Sequence, residues 1–138
     1  MTDKELKLIG VILYKCEGTK LRKDKRGKNT YYYAIEMTNA DPSVIRLFLL
    51  FLRKILKIDE SKLRIQLFIH DDLKKEKIES YWRKVTSVPE GQFNKTVLLK
   101  QKNKKYIPTL RGTCKIRYHD KKKFLRLQKM MIDIFESF

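Results

Sequence analysis

Residues Leu8–Gly18 read LIGVILYKCEG. The first seven carry no charge in a chain that is 36% charged, and the run closes on an acid and a glycine, Glu17 and Gly18. A helix over about Asp3–Glu17 puts Leu6, Ile9, Leu13 and Cys16 on one stripe. Leu8, Val11, Ile12 and Tyr14 cover most of the remaining circumference. A helix that is apolar all round must be covered all round. One face suits the chain's own core; the other asks for a second element, from this chain or from another copy. Gly18 fits the left-handed position that commonly ends a helix.

Outward from that helix the pattern changes period. TKLRKDKRGKNTYYYAIEMTN reads as two strands around a Gly/Asn turn, with Tyr31, Tyr33, Ile35 and Met37 on one face. ADPSVIRLFLLFLRKILK is a mostly buried helix with Asp41 as N-cap and Pro42 in the first turn, where proline is tolerated. KLRIQLFIH alternates, with Leu63, Ile65, Leu67 and Ile69 inward and Arg64, Gln66, Phe68 and His70 outward. DDLKKEKIESYWRKV is amphipathic, its apolar side formed by Leu73, Ile78, Tyr81, Trp82 and Val85. QFNKTVLLK reads as a strand, QKNKKYIPTLRG as a basic loop, and TCKIRYH as a strand with Lys115 and Arg117 outward. Asp120 caps a last helix, with Phe124, Leu127, Met131, Ile134 and Phe138 facing in. The expected class is α+β, one domain over residues 1–138, with an antiparallel sheet that packs one face on helices.

The 138 residues carry 33 Lys and Arg against 16 Asp and Glu, a net charge of +17. The first 18 residues are neutral, while residues 95–138 alone carry +10. Such an uneven distribution points to a polyanionic partner, because each phosphate neutralised releases condensed counterions. No run suits a bilayer: the longest apolar one, Leu47–Leu52, is bounded by Arg46 and Arg53. The charged start MTDKELK lacks a signal-peptide pattern, and two cysteines give neither a disulfide framework nor metal-ligand spacing. A cytoplasmic protein with reduced thiols is expected.

The order of elements and the opening stretch resemble the LAGLIDADG family of homing endonucleases. GVILYKCEG, Gly10 to Gly18, aligns with the nine-letter motif in the variant that ends in "EG". Ile12 and Lys15 stand where the family carries an early small residue and its first acid. The resemblance implies an αββαββα fold with an inserted helix at residues 71–88 and a saddle-shaped sheet lying along the major groove. It also implies a homodimer whose motif helices pair through Leu8, Val11, Ile12 and Lys15. Glu17, with Gly18 beside it, would bind Mg²⁺ or another divalent cation, and a lysine such as Lys100 would assist catalysis. The implied activity is site-specific cleavage of double-stranded DNA. Two further readings keep the same basic face: a DNA-binding regulator that does not cut, and an RNA-binding splicing helper.

Candidate nucleic-acid contacts follow from the charge pattern. Lys20, Arg22, Lys23, Lys25, Arg26 and Lys28 lie on the first hairpin. Arg64, Gln66, Lys115 and Arg117 lie on the outward sheet face, where Arg suits guanine and Gln suits adenine. Lys102 and Lys104, in the basic loop after Lys100, suit phosphates. The usual Ser/His/Asp and Cys/His groupings for a protein nucleophile are not evident.

Overall fold

The computed structural model describes residues 1–19, 22–23, 31–71, 73–100 and 111–137. The first helix, α1, spans Asp3–Glu17. Thr2 caps it: its hydroxyl oxygen accepts from the Glu5 amide at 3.1 Å and its hydroxyl donates to the Glu5 carboxylate at 3.0 Å. The buried stripe is Leu6, Gly10, Val11 and Tyr14. Gly10 is there because a Cβ would overlap the Phe51 ring, so the glycine lets α1 lie close to the following helix. At its end α1 departs from expectation. Gly18 is extended, at φ −79° and ψ 158°, and is not left-handed. It is small for a different reason: a Cβ would overlap the Tyr14 ring and stand 2.6 Å from the Tyr14 carbonyl oxygen. The chain therefore runs straight from helix into sheet. Gly18 lies opposite Met37 in an antiparallel bridge, and the Thr19 amide donates to the Glu36 carbonyl at 3.0 Å.

Strands β1 (Arg22–Lys23) and β2 (Tyr31–Tyr32) pair antiparallel, and β3 (Ala34–Asn39) follows directly. The main sheet has the order β3–β6–β4–β5, with β4 at Leu63–His70, β5 at Val97–Leu99 and β6 at Thr113–His119. β6 is antiparallel to both neighbours, but β4 and β5 are parallel. This corrects the expectation of a wholly antiparallel sheet. Between β4 and β5 lies α3, Lys75–Thr86. A helix in that position carries the chain back to the starting end of β4, which is what a parallel pairing needs. The expected strand over residues 92–100 also shrinks. Glu90–Gln92 forms a 3₁₀ turn instead, and the Gln92 side chain donates through Nε2 to the carbonyls of Glu60 and Leu63 at 2.6 and 2.8 Å.

Helix α2, Pro42–Phe51, begins as anticipated: Asp41 accepts from the Ser43 amide at 2.9 Å. It runs on into a π-helical turn, Leu52–Leu56, closed by Lys57 at φ 52°. Arg53 in that turn pairs with Glu60 and donates to the Thr86 carbonyl at 2.9 Å, tying the turn to the end of α3. The last helix, α4, spans Lys121–Phe135 and buries Phe124, Leu127 and Met130; Phe138 lies outside the described residues. Helices cover one sheet face, where Ile35, Met37, Leu63, Ile65, Leu67, Ile69, Cys114, Ile116 and Tyr118 join a single buried cluster. Burial pushes the Cys114 thiol up, so it stays a protonated core side chain. The alternation in β4 and β6 is as read from sequence. Among the described residues no helix is long and apolar enough to cross a membrane.

Two measurements test this account. Gly10→Ala should lower stability by about 1–3 kcal/mol through overpacking on Phe51, read as a lower urea midpoint. Gly91→Ala, with open space at its Cβ, should change it little. Asp41, Asp59 and Asp120 cap their turns, and the hydrogen bonds they accept hold their carboxyls below the usual 3.8. Their folded values are depressed, so their contribution is complete above about pH 4 and is lost as pH falls through those values. Thermal melts from pH 6 to pH 2 should show that acid limb, and Asp120→Asn should make it shallower.

Candidate nucleic-acid interface

The pleat turns every second residue of β3, β6 and β4 away from the helices. Strand register then fixes which of these side chains are neighbours. Glu36, Arg117 and Arg64 form one row across β3, β6 and β4; Thr38, Lys115 and Gln66 form the next. Arg64, Gln66, Lys115 and Arg117, predicted from alternation alone, are all half-buried and fall together in these two rows. Arg64 donates through Nη1 to the carbonyls of Ser61 and Leu63 at 2.7 and 2.9 Å, so it lies back along the start of its own strand. Gln66 donates to the Lys95 carbonyl at 3.1 Å. At the other end of the face, the Tyr32 hydroxyl and His119 Nε2 lie 2.8 Å apart.

Glu36 was not among the candidates from sequence. It is 1% exposed, and its Oε2 stands 2.8 Å from Lys115 Nζ and 3.5 Å from Arg117 Nε. Directly opposed like charges destabilise a strand pair. Arg64 faces Arg117 in that way, and Glu36 on the far side of Arg117 offsets the repulsion. A signal was available: in YYYAIEMTN, Glu36 is out of phase with Ile35 and Met37, so the alternation that buries those two points the acid at the basic face.

The outward stripe of α1 holds Leu8, Ile12 and Cys16, with Leu8 39% and Ile12 46% exposed. Val11 does not belong to it. It is fully buried in its own chain, which corrects its assignment to a helix-pairing surface. Lys15 sits with its Nζ 5.5 Å from the centre of the Phe135 ring, against its own α4. Together with Gln128, Ile132 and Phe135 it lines an open cleft of about 360 Å³. Glu17 is exposed, at the point where α1 meets the sheet. Among the described residues no three His, Cys, Asp or Glu side chains come together. One chain brings to this point the Glu17 carboxylate and the Gly18 carbonyl. Both are hard oxygen donors of the type Mg²⁺ takes.

Lys100 is exposed just after β5, at the opposite edge of the sheet from Gly18. Several strand spacings of about 4.8 Å separate them. That is farther than a lysine reaches, so Lys100 does not approach Glu17 of its own chain. Lys20, Lys25, Arg26, Lys28, Lys102 and Lys104, and the side chains of Arg22 and Lys23, lie outside the described residues. The chain matches no protein-family model, no curated protein and no solved structure in the three comparisons made.

Proposed function

We propose that this chain is a LAGLIDADG-type endonuclease that works as a homodimer on double-stranded DNA. One observation carries the proposal. α1, which carries the exposed stripe Leu8, Ile12 and Cys16, ends at Glu17 and bridges through Gly18 to Met37 of β3, a strand of the sheet whose other face holds the cations. Two copies paired through Leu8 and Ile12 would bring two Glu17 carboxylates together beside two such faces. A carboxylate at a helix C-terminus already opposes the helix dipole by roughly 0.3–1 kcal/mol. A second one nearby adds repulsion, and a shared cation offsets both. Glu17 and the Gly18 carbonyl would hold it, with water and substrate phosphate completing the shell. Bound Mg²⁺ would supply an activated water and stabilise the leaving oxygen. The chain's own cations would hold the duplex, Arg64, Lys115 and Arg117 from the sheet face and the hairpin and loop lysines along the phosphates. The order α1–β1–β2–β3–α2–β4–α3–β5–β6–α4 is in keeping with the family's αββαββα when β2 and β3 count as one strand and α3 and β5 as additions between β4 and β6.

A second reading is a regulator that binds DNA without cutting. It is favoured by Lys15, which replaces the family's first acid and turns onto Phe135.

Incubation with a randomised duplex pool and Mg²⁺ separates the two. Cutting that is lost in Glu17→Gln, with binding retained, supports the nuclease. Mg²⁺-independent binding without cutting supports the regulator, and preference for RNA over duplex DNA defeats both. Sedimentation tests the seam. The wild type should be a dimer, and Ile12→Asp should yield a folded monomer because Ile12 touches little of its own core. Val11→Asp should instead lose the fold. A wild type that stays monomeric at high concentration removes the basis for paired acids.

A further inference from the structure

We infer that Glu36 is a positioning residue for base readout: it holds Lys115 and Arg117 as directed donors and keeps them from acting as loose phosphate contacts. The inference rests on the reading of this face as a duplex-DNA surface. At 1% exposure Glu36 has no surface left to offer a base, so it acts only through its neighbours. A buried carboxylate is costly unless paired, and a buried ion pair is weak evidence of stabilisation. Its presence in the middle of a cationic face therefore points to another role.

The geometry indicates which. A single oxygen, Oε2, faces Lys115 Nζ and Arg117 Nε. Two long cationic side chains, each with many rotamers in solution, are thus ordered before any ligand arrives, which reduces what binding must order. The contact to Arg117 is through Nε, the nitrogen nearest the aliphatic stem. The terminal nitrogens of the fork are the pair that suits guanine O6 and N7. Lys115 and Arg117 belong to different rows, two residues apart on β6. At about 3.4 Å per residue that is roughly 7 Å, so they address separate base pairs. The carboxylate also cancels one positive charge locally, which weakens sequence-blind attraction to phosphate without removing a directed donor. The ligand that suits this arrangement is a duplex with guanines at two nearby positions in its major groove.

The test uses the full chain and three variants, Glu36→Gln, Glu36→Asp and Lys115→Met. Each is checked for fold by circular dichroism, selected on a randomised duplex pool, and eluted from heparin over a range of salt. The wild type should enrich guanine at two positions. Folded Glu36→Gln should lower that enrichment roughly tenfold, about the discrimination of one bidentate contact. Its heparin and duplex binding should grow steeper with salt by about one unit, the signature of one added phosphate-type contact. Glu36→Asp, which keeps the charge, should recover part of the enrichment. Unchanged enrichment and slope in folded Glu36→Gln overturn the inference. Should Glu36→Gln fail to fold, the double variant Glu36→Gln/Lys115→Met removes the surplus charge. Loss of the Arg117-dependent guanine there, but not in Lys115→Met alone, supports the inference, and its retention overturns it. A wild type that binds no duplex sinks the DNA reading alone. The heparin slopes then still decide whether Glu36 restrains the two cations.

Discussion

Tyr14 determines how the first helix joins the sheet, and most of the molecule depends on that joint. Its ring lies nearly parallel to Phe48, with centroids 6.0 Å apart, which pins α1 to α2. Its hydroxyl donates to the Thr19 carbonyl at 2.7 Å. Its carbonyl accepts the Gly18 amide at 2.8 Å, and its ring and carbonyl fill the space a side chain at Gly18 would need. One residue thus packs the helix, ends it and directs the chain onto β3. The chain therefore passes from the acid at the helix end to the edge of β3 within one or two residues.

The basic face is organised by Glu36 as much as by its cations. Lys and Arg on neighbouring strands repel, and a sheet tolerates them side by side only when something intervenes. Glu36 intervenes from inside the face, where solvent ions screen least. The exposed pairs, such as Lys54 with Asp3 at 3.2 Å, contribute much less, as surface ion pairs generally do. Net charge therefore counts the cations, and the buried pair says how those of this surface are ordered.

What could be read from sequence was whatever local chemistry decides. Asp41 and Asp120 announce their helices because a carboxylate before an amphipathic run satisfies amides that nothing else would. The alternation of β4 and β6 survives because one face of each is buried completely. Readings failed where partners distant in the chain decide. An all-apolar helix has no periodic signal to choose its inner face, so Val11 was placed on the wrong side. Gly18 was read by the common rule for helix ends, while the ring of Tyr14 set the actual constraint. The direction of β5 depends on a pairing of three residues with β4, too short to leave a pattern. Glu36 was overlooked because its meaning lies in Lys115 and Arg117, some eighty residues later.

That separation has a consequence for the birth of the molecule. β6 lies between β3 and β4, so the first and middle strands never touch and both wait for a segment near the end of the chain. A ribosome that has released only the first hundred residues has exposed β3 and β4 without the strand that joins them. Sheets closed by such distant pairings assemble slowly. The nascent chain will thus need shelter from aggregation until Thr113–His119 emerges. The two rows that carry Glu36, Arg64, Gln66, Lys115 and Arg117 are likewise complete only once β6 has been made.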